Sequence, residues 1–393
     1  MFISHLALDN FRSYEHVVVE LAGGANAFIG LNGQGKTNLV EAIAYLATFT
    51  SHRVAADTAL VRAGSDAAVV RAKVSDGERS QVLEVEILAG RANRARLNRA
   101  PVRPRELLGI VHCVVFAPED LALVKGDPSE RRRFLDDVIV QFTPRLAGVK
   151  SDYDKVVRQR SALLKSALGQ RRAGRTPDLG TLDVWDAQVA DLGGQLIAAR
   201  TQLVEELRPY VAQAYHEVSN GQSEAGIAIK SSLGEIEERA FTDVSYAQAE
   251  LARQLAEGRE REITRGVTLV GPHRDDLILT LGDLPARHYA SHGESWSFAL
   301  ALKLASYELL KERDHREGHS GPILILDDVF AELDTARRTT LATMVHDADQ
   351  VFITAAVPED VPAELKARRY LVHESTVERD DAQGTGEDDD RER

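Results

Sequence analysis

The sequence predicts an α/β fold: a head built on a parallel sheet and a glycine-rich loop, with a β-rich N-terminal subdomain and an inserted antiparallel helical arm or second lobe. Three observations predict it. Gly30-Leu31-Asn32-Gly33-Gln34-Gly35-Lys36-Thr37 fits the pattern G-x-x-x-x-G-K-[ST] between a strand-like run, Ala25 to Ile29, and a helical run, Lys36 to Leu46. Far downstream, Pro322-Ile323-Leu324-Ile325-Leu326-Asp327-Asp328 is a continuous apolar run ending in two carboxylates, which is how a parallel strand buried on both faces reads. Between the two, apolar residues recur near a heptad spacing from Val149 to Val211.

The loop comes first in the chain. Gly30, Gly33 and Gly35 let the backbone turn and approach a polyphosphate, whose charge meets the N–H groups and dipole of the helix that follows. That helix has an apolar face of Leu39, Val40, Ile43 and Leu46. Lys36 is placed to reach the β- and γ-phosphates and the Thr37 hydroxyl to ligate Mg²⁺, with Leu31, Asn32, Gln34 and Asn38 completing the ATP cradle. The acidic strand supplies what the loop lacks. Asp327 is the expected metal ligand, and Asp328 the expected general base for the attacking water, catalytic together with Lys36.

Upstream of that strand, Ser291-His292-Gly293-Glu294 opens an alanine- and leucine-rich helix from about Ser295 to Arg313, a second anion-binding terminus. In the ATP-binding-cassette superfamily such a signature docks, through residues placed like Ser291 and Gly293, on the γ-phosphate held by another subunit. Glu332-Leu333-Asp334 resembles that superfamily's loop along the dimer interface, so Asp334 joins the candidate nucleotide residues.

The chain resembles the RecF family of bacterial recombination-repair ATPases, relatives of the SMC proteins. The matching stretches are Leu8-Asp9-Asn10-Phe11-Arg12-Ser13-Tyr14, Ala117-Pro118-Glu119-Asp120-Leu121, Val124 to Asp136, Gly271-Pro272-His273-Arg274-Asp275-Asp276-Leu277 and Leu326 to Asp334. The resemblance implies a phosphate-loop, ABC-type ATPase head that dimerises on ATP. It also implies binding of double-stranded and gapped DNA, and RecO and RecR as partners in loading RecA. Two departures stand out. His292 and Glu294 occupy positions where the family often shows glutamines, and Val351-Phe352-Ile353 leads to Thr354 where many cassette ATPases carry a histidine. A chromosome-associated SMC-like ATPase and the ATPase subunit of a membrane transporter are the alternative readings.

Composition agrees with a globular machine. The single cysteine, Cys113, excludes a disulfide framework and a cysteine-rich zinc site. No apolar run approaches the roughly 18 residues a membrane span needs, so a cytoplasmic protein with no membrane partner is expected. The net charge of −13 argues against a nucleic-acid partner only if it is evenly spread. Eight acids against three bases, with almost nothing apolar, mark Thr376 to Arg393 as a disordered acidic tail. Arg91, Arg94, Arg96, Arg99, Arg103 and Arg105 instead fall in one acid-free stretch after two strand-like runs, Ala67 to Val74 and Gln81 to Leu88. Their alternation suggests a hairpin edge that either contacts DNA phosphates or only keeps the edge soluble.

Residues 1–145 and 262–374 are therefore expected to form the head, 146–261 the helical arm or second lobe, and 375–393 the tail. The second helix of the arm would span roughly 50 Å. Three local features carry two readings each. Arg131, Arg132 and Arg133 either contact phosphates or pair within their helix, His273 and Arg274 either form an internal turn or contact a ligand, and Arg53 either reaches the nucleotide or is solvated.

Overall fold

The structure, a computed structural model, describes residues 1–380 other than 55, 77–78, 220, 222 and 235–237. The chain divides into two compact units, Met1–Asp120 with Glu217–Gly221 and Ala299–Arg393, and Leu121–His216 with Gln222–Phe298.

The first unit holds two six-stranded sheets. One is antiparallel, in the order Tyr14–Glu20, Phe2–Phe11, Ala67–Asp76, Arg79–Leu88, Arg94–Leu97 and Ala100–Val102. The other runs Thr376–Arg379, Arg368–His373, Gly24–Ile29, Gln350–Ala355, Ile323–Asp327 and Cys113–Phe116, parallel throughout except at its first edge. The inner strands Ile323–Asp327 and Gln350–Ala355 are buried at every residue, as the apolar run predicts for a strand covered on both faces. The helix Lys36–Thr48 buries Leu39, Val40, Ile43 and Leu46 in one core that takes in residues of both sheets. Phe28 stacks on Phe352 there, with centroids 6.1 Å apart. Cys113 lies in that core, its thiol pKa pushed up to about 12 by burial.

A buried amide joins the two sheets. Gln350 Oε1 accepts from Ile3 N at 2.8 Å, while Gln350 Nε2 donates to Ile3 O at 2.9 Å and to Ala22 O at 2.8 Å. The side chain thus imitates a strand partner where the pairing of Phe2–Phe11 shifts register between Ile3 and His5.

The second unit is helical around its own core, with a three-stranded sheet of Leu284–Pro285, Asp276–Leu281 and Ala225–Lys230. Its long helices are Arg145–Arg172 and Leu182–Ser219, the latter about 57 Å at 1.5 Å per residue and continuing past this unit's boundary. Their heptad-like positions Tyr153, Val156, Val189 and Leu196 are buried as expected, but a third helix, Val244–Arg265, shares the core through Leu251 and Leu255. Gly193 and Gly194 mark its closest approach: a Cβ on Gly194 would stand 2.8 Å from Gln248 N.

Two expected boundaries move. Residues 121–145 and 262–298 belong with the helical unit, because buried ion pairs hold them there. Arg131 meets both oxygens of Asp276 at 2.7 and 2.9 Å, and Arg200 meets both of Asp136 at 2.8 and 2.9 Å while donating to Pro272 O at 2.6 Å. Residues 376–379, placed in the tail by the sequence reading, form an edge strand paired with Arg368–His373; the rest of that segment, from 381, lies outside the described residues.

The centre of the helical unit is charged. Arg160, with no exposed surface, donates to Asp186 at 2.6 Å, Glu262 at 2.6 Å and Thr268 Oγ1 at 3.0 Å. Removing the guanidinium leaves the buried Glu262 without its cation, while Asp186 keeps Arg259 at 2.7 Å, so Arg160→Met should lower unfolding free energy by about 3–5 kcal/mol. Glu262→Gln added to that variant should recover part of the loss. Urea denaturation of the two variants is the check, and a loss below about 1 kcal/mol for Arg160→Met would show the cluster to be dispensable.

Candidate nucleotide-binding site

The phosphate loop leaves the carboxyl end of Gly24–Ile29 and enters Lys36–Thr48. Gly33 and Gly35 adopt φ of 82° and 109°, a region closed to most side chains, and a Cβ on Gly35 would lie 2.8 Å from the Tyr14 hydroxyl. A Cβ on Gly30 would fall 2.2 Å from Val372 O. The loop is therefore seated against its neighbours as well as bent. Lys36, almost wholly buried, donates to Gly30 O at 2.6 Å and Leu31 O at 3.2 Å, which holds its charge over the loop. Leu31, Asn32 and Gly33 are exposed at the rim.

Asp327 ends a strand two places along the sheet, and the intervening strand supplies the link. Thr37 Oγ1 donates to Asp327 Oδ1 at 3.1 Å, and Thr354 Oγ1 donates to the same oxygen at 2.6 Å. Asp328 N in turn donates to Thr354 Oγ1 at 2.9 Å. Loop and acidic strand are thus one hydrogen-bonded unit. Burial pushes the Asp327 carboxyl up to about 6, with the charges of Asp328 and Glu119 adding and the two threonine hydroxyls opposing. Asp328 sits at φ 52°, a left-handed conformation uncommon outside glycine, although aspartate tolerates it better than most, and one that clusters at functional sites.

Behind the loop, Glu41 is fully buried on the phosphate-loop helix. Arg12 grips both its oxygens at 2.8 and 2.6 Å, Ser51 donates to it, and Arg53 stands 3.5 Å away. Burial alone would raise this carboxyl, but Arg12, Ser51 and Arg53 together hold it below the usual range. Arg53 also donates to Asn38 Oδ1 at 3.2 Å, and Asn38 Nδ2 to Ser13 Oγ at 2.9 Å. Arg53 is thus braced beside the loop helix, and Asn38 lies in the bracing.

Ser291 and Gly293 lie in the other unit. Ser291 N donates to Glu294 Oε2 at 2.8 Å and Glu294 N to Ser291 Oγ at 3.3 Å, a reciprocal capping box at the start of the helix His292–Arg316. Asp334 caps Thr335–Val345 by accepting from Arg337 N at 2.9 Å, and it is exposed.

The arginine stretch forms the hairpin Arg94–Leu97 and Ala100–Val102 around a left-handed turn at Asn98 and Arg99. Its first strand faces acids: Arg96 pairs with Glu84 and Arg94 lies 3.5 Å from Glu86. Arg91, Arg99, Arg103 and Arg105 are exposed and make no ion pair among the described residues. Of the features with two readings, Arg131 pairs internally, Arg132 donates to Asp275 O, and Arg133 stands 3.7 Å from Asp137. His273 is half-buried with Nδ1 2.7 Å from the Tyr153 hydroxyl, and Arg274 donates to Thr268 O at 3.1 and 2.9 Å. The Gly271-to-Asp276 segment is an internal staple of the helical unit.

Sequence reasoning missed Tyr14, Glu41 and Thr354. Thr354 stands in the position singled out for lacking a histidine, and that departure was the signal that could have found it.

The chain resembles known proteins along nearly its whole length. The family model described as RecF/RecN/SMC N terminal domain matches residues 2–372. A DNA replication and repair protein RecF of Beutenbergia cavernae is 57% identical over 388 residues, covering 95% of this chain and 98% of that protein. The solved structure of the recombination mediator protein RecF-ATPrS in the RecFOR pathway is similar at a TM-score of 0.84 and 27% identity, covering 96% of this chain and 98% of that one. An SMC head bound to the C-winged helix domain of ScpA, 16% identical with a TM-score of 0.54 over 96% of each chain, shares the fold.

The buried Asp327 makes a stability prediction. A carboxyl raised in the folded state favours folding fully below its unfolded value near 3.8, and that contribution is lost as pH rises through about 6. At pH 7.5, in EDTA, Asp327→Asn should therefore be more stable than the parent by about 2–3 kcal/mol, since its amide oxygen still accepts from Thr37 and Thr354. The advantage should shrink as pH falls from 6 toward 4. Thermal midpoints across that range decide it; an advantage that stays constant with pH would place the carboxylate's charge elsewhere in the balance.

Proposed function

The chain belongs to the RecF family of DNA replication and repair proteins, within the RecF/RecN/SMC group, and on that premise we propose that it is an ATP-gated clamp on DNA. The observation that supports the reading is the bonded run Thr37–Asp327–Thr354–Asp328, in which a loop hydroxyl and two successive aspartates meet at the carboxyl edge of a parallel sheet, where a metal ligand and a base are needed.

The residues fit Mg²⁺. Thr37 Oγ1 and Asp327 Oδ1, 3.1 Å apart, are hard oxygen donors, and this cation commonly takes one or two such groups with phosphate oxygens and waters. When bound, it would neutralise charge on the transferring phosphoryl group. Lys36 supports the β- and γ-phosphates, the amides of Gly33 to Thr37 surround them, and Asp328 accepts the proton of the attacking water. Asp is one methylene shorter than the Glu of most cassette ATPases, so turnover is slow, with DNA accelerating it.

In the closed state two copies enclose two nucleotides. Each rests on Gly30 to Thr37 of one protomer and is capped by Ser291 of its partner, with Asp334 at the interface. Glu294 already takes the Ser291 amide, so the cap falls to the Ser291 hydroxyl proton and the amides of His292 and Gly293. ATP thereby supplies dimer affinity by binding the closed form better than the open one. Arg91, Arg99, Arg103 and Arg105 contact the DNA backbone, with Arg94 and Arg96 held by their acids. Little aromatic interleaving accompanies them, so shape and phosphate spacing rather than base identity are read. The similar RecF structure is described as a recombination mediator in the RecFOR pathway; this chain takes RecO and RecR as partners at single-strand gaps and helps them load RecA.

Asp328→Asn should close but not open. With ATP, Mg²⁺ and gapped DNA it should sediment as a dimer and hydrolyse on the order of 10²-fold more slowly than the parent, whereas Lys36→Arg should stay monomeric. A protein that remains a monomer in both the parent and Asp328→Asn forms has no composite site. Replacing Arg91, Arg99, Arg103 and Arg105 with Gln should flatten the salt dependence of DNA binding by roughly 3–4 in log–log slope. An unchanged slope would move the DNA surface off this hairpin. Equal ATP-dependent affinity for gapped and continuous duplex, with or without RecR, would favour a general chromosome protein instead.

A further inference from the structure

The last strand pair of the first unit ends on the phosphate loop. Arg368–His373 pairs with Gly24–Ile29, the strand that feeds the loop, and Leu371 lies opposite Ile29. A two-residue turn, Glu374–Ser375, then reverses the chain, with His373 opposite Thr376 and both turn residues left-handed at φ 47° and 60°. That turn presents two backbone amides to one residue of the loop. Glu374 N donates to Gln34 Oε1 at 2.6 Å and Ser375 N donates to Gln34 O at 3.1 Å. The Ser375 hydroxyl lies 2.7 Å from the hydroxyl of Ser13, which takes the Asn38 side chain at the start of the loop helix.

The bond to Gln34 O matters for the chemistry. In a trans peptide the C=O and the following N–H point in opposite directions. With the Gln34 carbonyl held outward by Ser375, the Gly35 N–H faces the other side, toward the space a phosphate oxygen enters. The next peptide is held in the same sense: Gly35 O accepts from Asn38 N at 3.0 Å, Leu39 N at 3.3 Å and the Tyr14 hydroxyl at 3.2 Å. Glycine at 33 and 35 leaves this loop free to turn its peptides over, so something outside must choose the orientation.

We propose that the Glu374–Ser375 turn is an outer clamp that sets the Gln34–Gly35 peptide for phosphate binding, and that the Gln34 side chain is a positioning residue for the clamp and makes no contact with nucleotide. This rests on the reading of the loop as an ATP site. The clamp makes the C-terminal hairpin part of the nucleotide site although no residue of it belongs to the loop motif. Its two amides would otherwise be loop-tip donors to water. Two left-handed non-glycine residues are maintained there by the contacts they make.

The test compares a variant that removes one of the clamp's two bonds with one that keeps both. Gln34→Met retains length and loses the acceptor for Glu374 N. Glu374→Asn with Ser375→Gly keeps both amides and suits a left-handed two-residue turn. Binding of a fluorescent ATP analogue with Mg²⁺, steady-state KM and kcat, and nucleotide-free thermal midpoints are measured on the full chain. Gln34→Met should weaken nucleotide binding and raise KM by roughly tenfold, with kcat within about twofold and the thermal midpoint unchanged, because the loss lies in preorganisation of the bound phosphate. The turn variant should bind as the parent does. Parent-like affinity in Gln34→Met overturns the clamp, as does a loss of affinity matched by a fall in thermal midpoint. Failure of the unmodified protein itself to bind the analogue would instead overturn the nucleotide-site reading, and the clamp with it.

Discussion

A carboxylate buried at the end of a central strand, with hydroxyls rather than a cation for partners, is the constraint around which the first unit is arranged. Asp327 is 3% exposed, and Thr37 and Thr354 donate to it. Such a group raises its own pKa and weighs on stability at neutral pH. The surrounding packing and hydrogen bonds offset that burden: a sheet buried on both faces, a helix packed through four apolar positions, and an amide from Asp328 that fixes Thr354.

The antiparallel sheet serves the same end from the far side. It contributes Tyr14 to the loop's outer surface and Arg12 to the buried Glu41, while Gln350 splices its first strand to the parallel sheet. Most of these contacts join residues far apart in sequence, and several are charge-assisted or buried. The loop itself is rich in glycine and conformationally permissive. Its geometry is thus borrowed from neighbours that are not, namely Tyr14, Val372 and the turn after His373.

Much of this was legible in the sequence because it is written in local pattern. A doubly buried strand shows as an unbroken apolar run, a phosphate loop as spaced glycines before Lys-Thr, and the long helices as a near-heptad repeat. The helix Val244–Arg265 was not seen, since its polar residues outnumber the few that enter the core. The unit boundary was misplaced because Arg131, Asp136, Arg200 and Asp276 read as ordinary surface charges until their pairing is known. Thr354 and Glu374–Ser375 escaped for a similar reason: a threonine after a strand and a polar two-residue turn acquire meaning only through a partner brought close by the sheet order. Thr376–Arg379 was read as tail because four polar-flanked residues carry no burial signal, yet an edge strand needs only backbone pairing on one side.

The arginine hairpin shows why charge must be read in register rather than in composition. Across the exposed face of the antiparallel sheet, His16, Asp9, Arg71, Glu84 and Arg96 alternate in kind, with Arg71 opposite Glu84 and Glu84 opposite Arg96. Such cross-strand pairs stabilise a sheet by tenths of a kcal/mol, roughly 0.2–1 each, and leave little field beyond it. The stretch holds six arginines, but two of them are answered by acids one strand away. What reaches outward is the set at the turn and the flanks, Arg91, Arg99, Arg103 and Arg105, which are exposed and make no ion pair among the described residues. A polyanion meets local potential rather than net charge. A chain of net charge −13 can therefore still offer phosphates a cationic edge, provided the surplus acids lie elsewhere and the paired arginines stay paired.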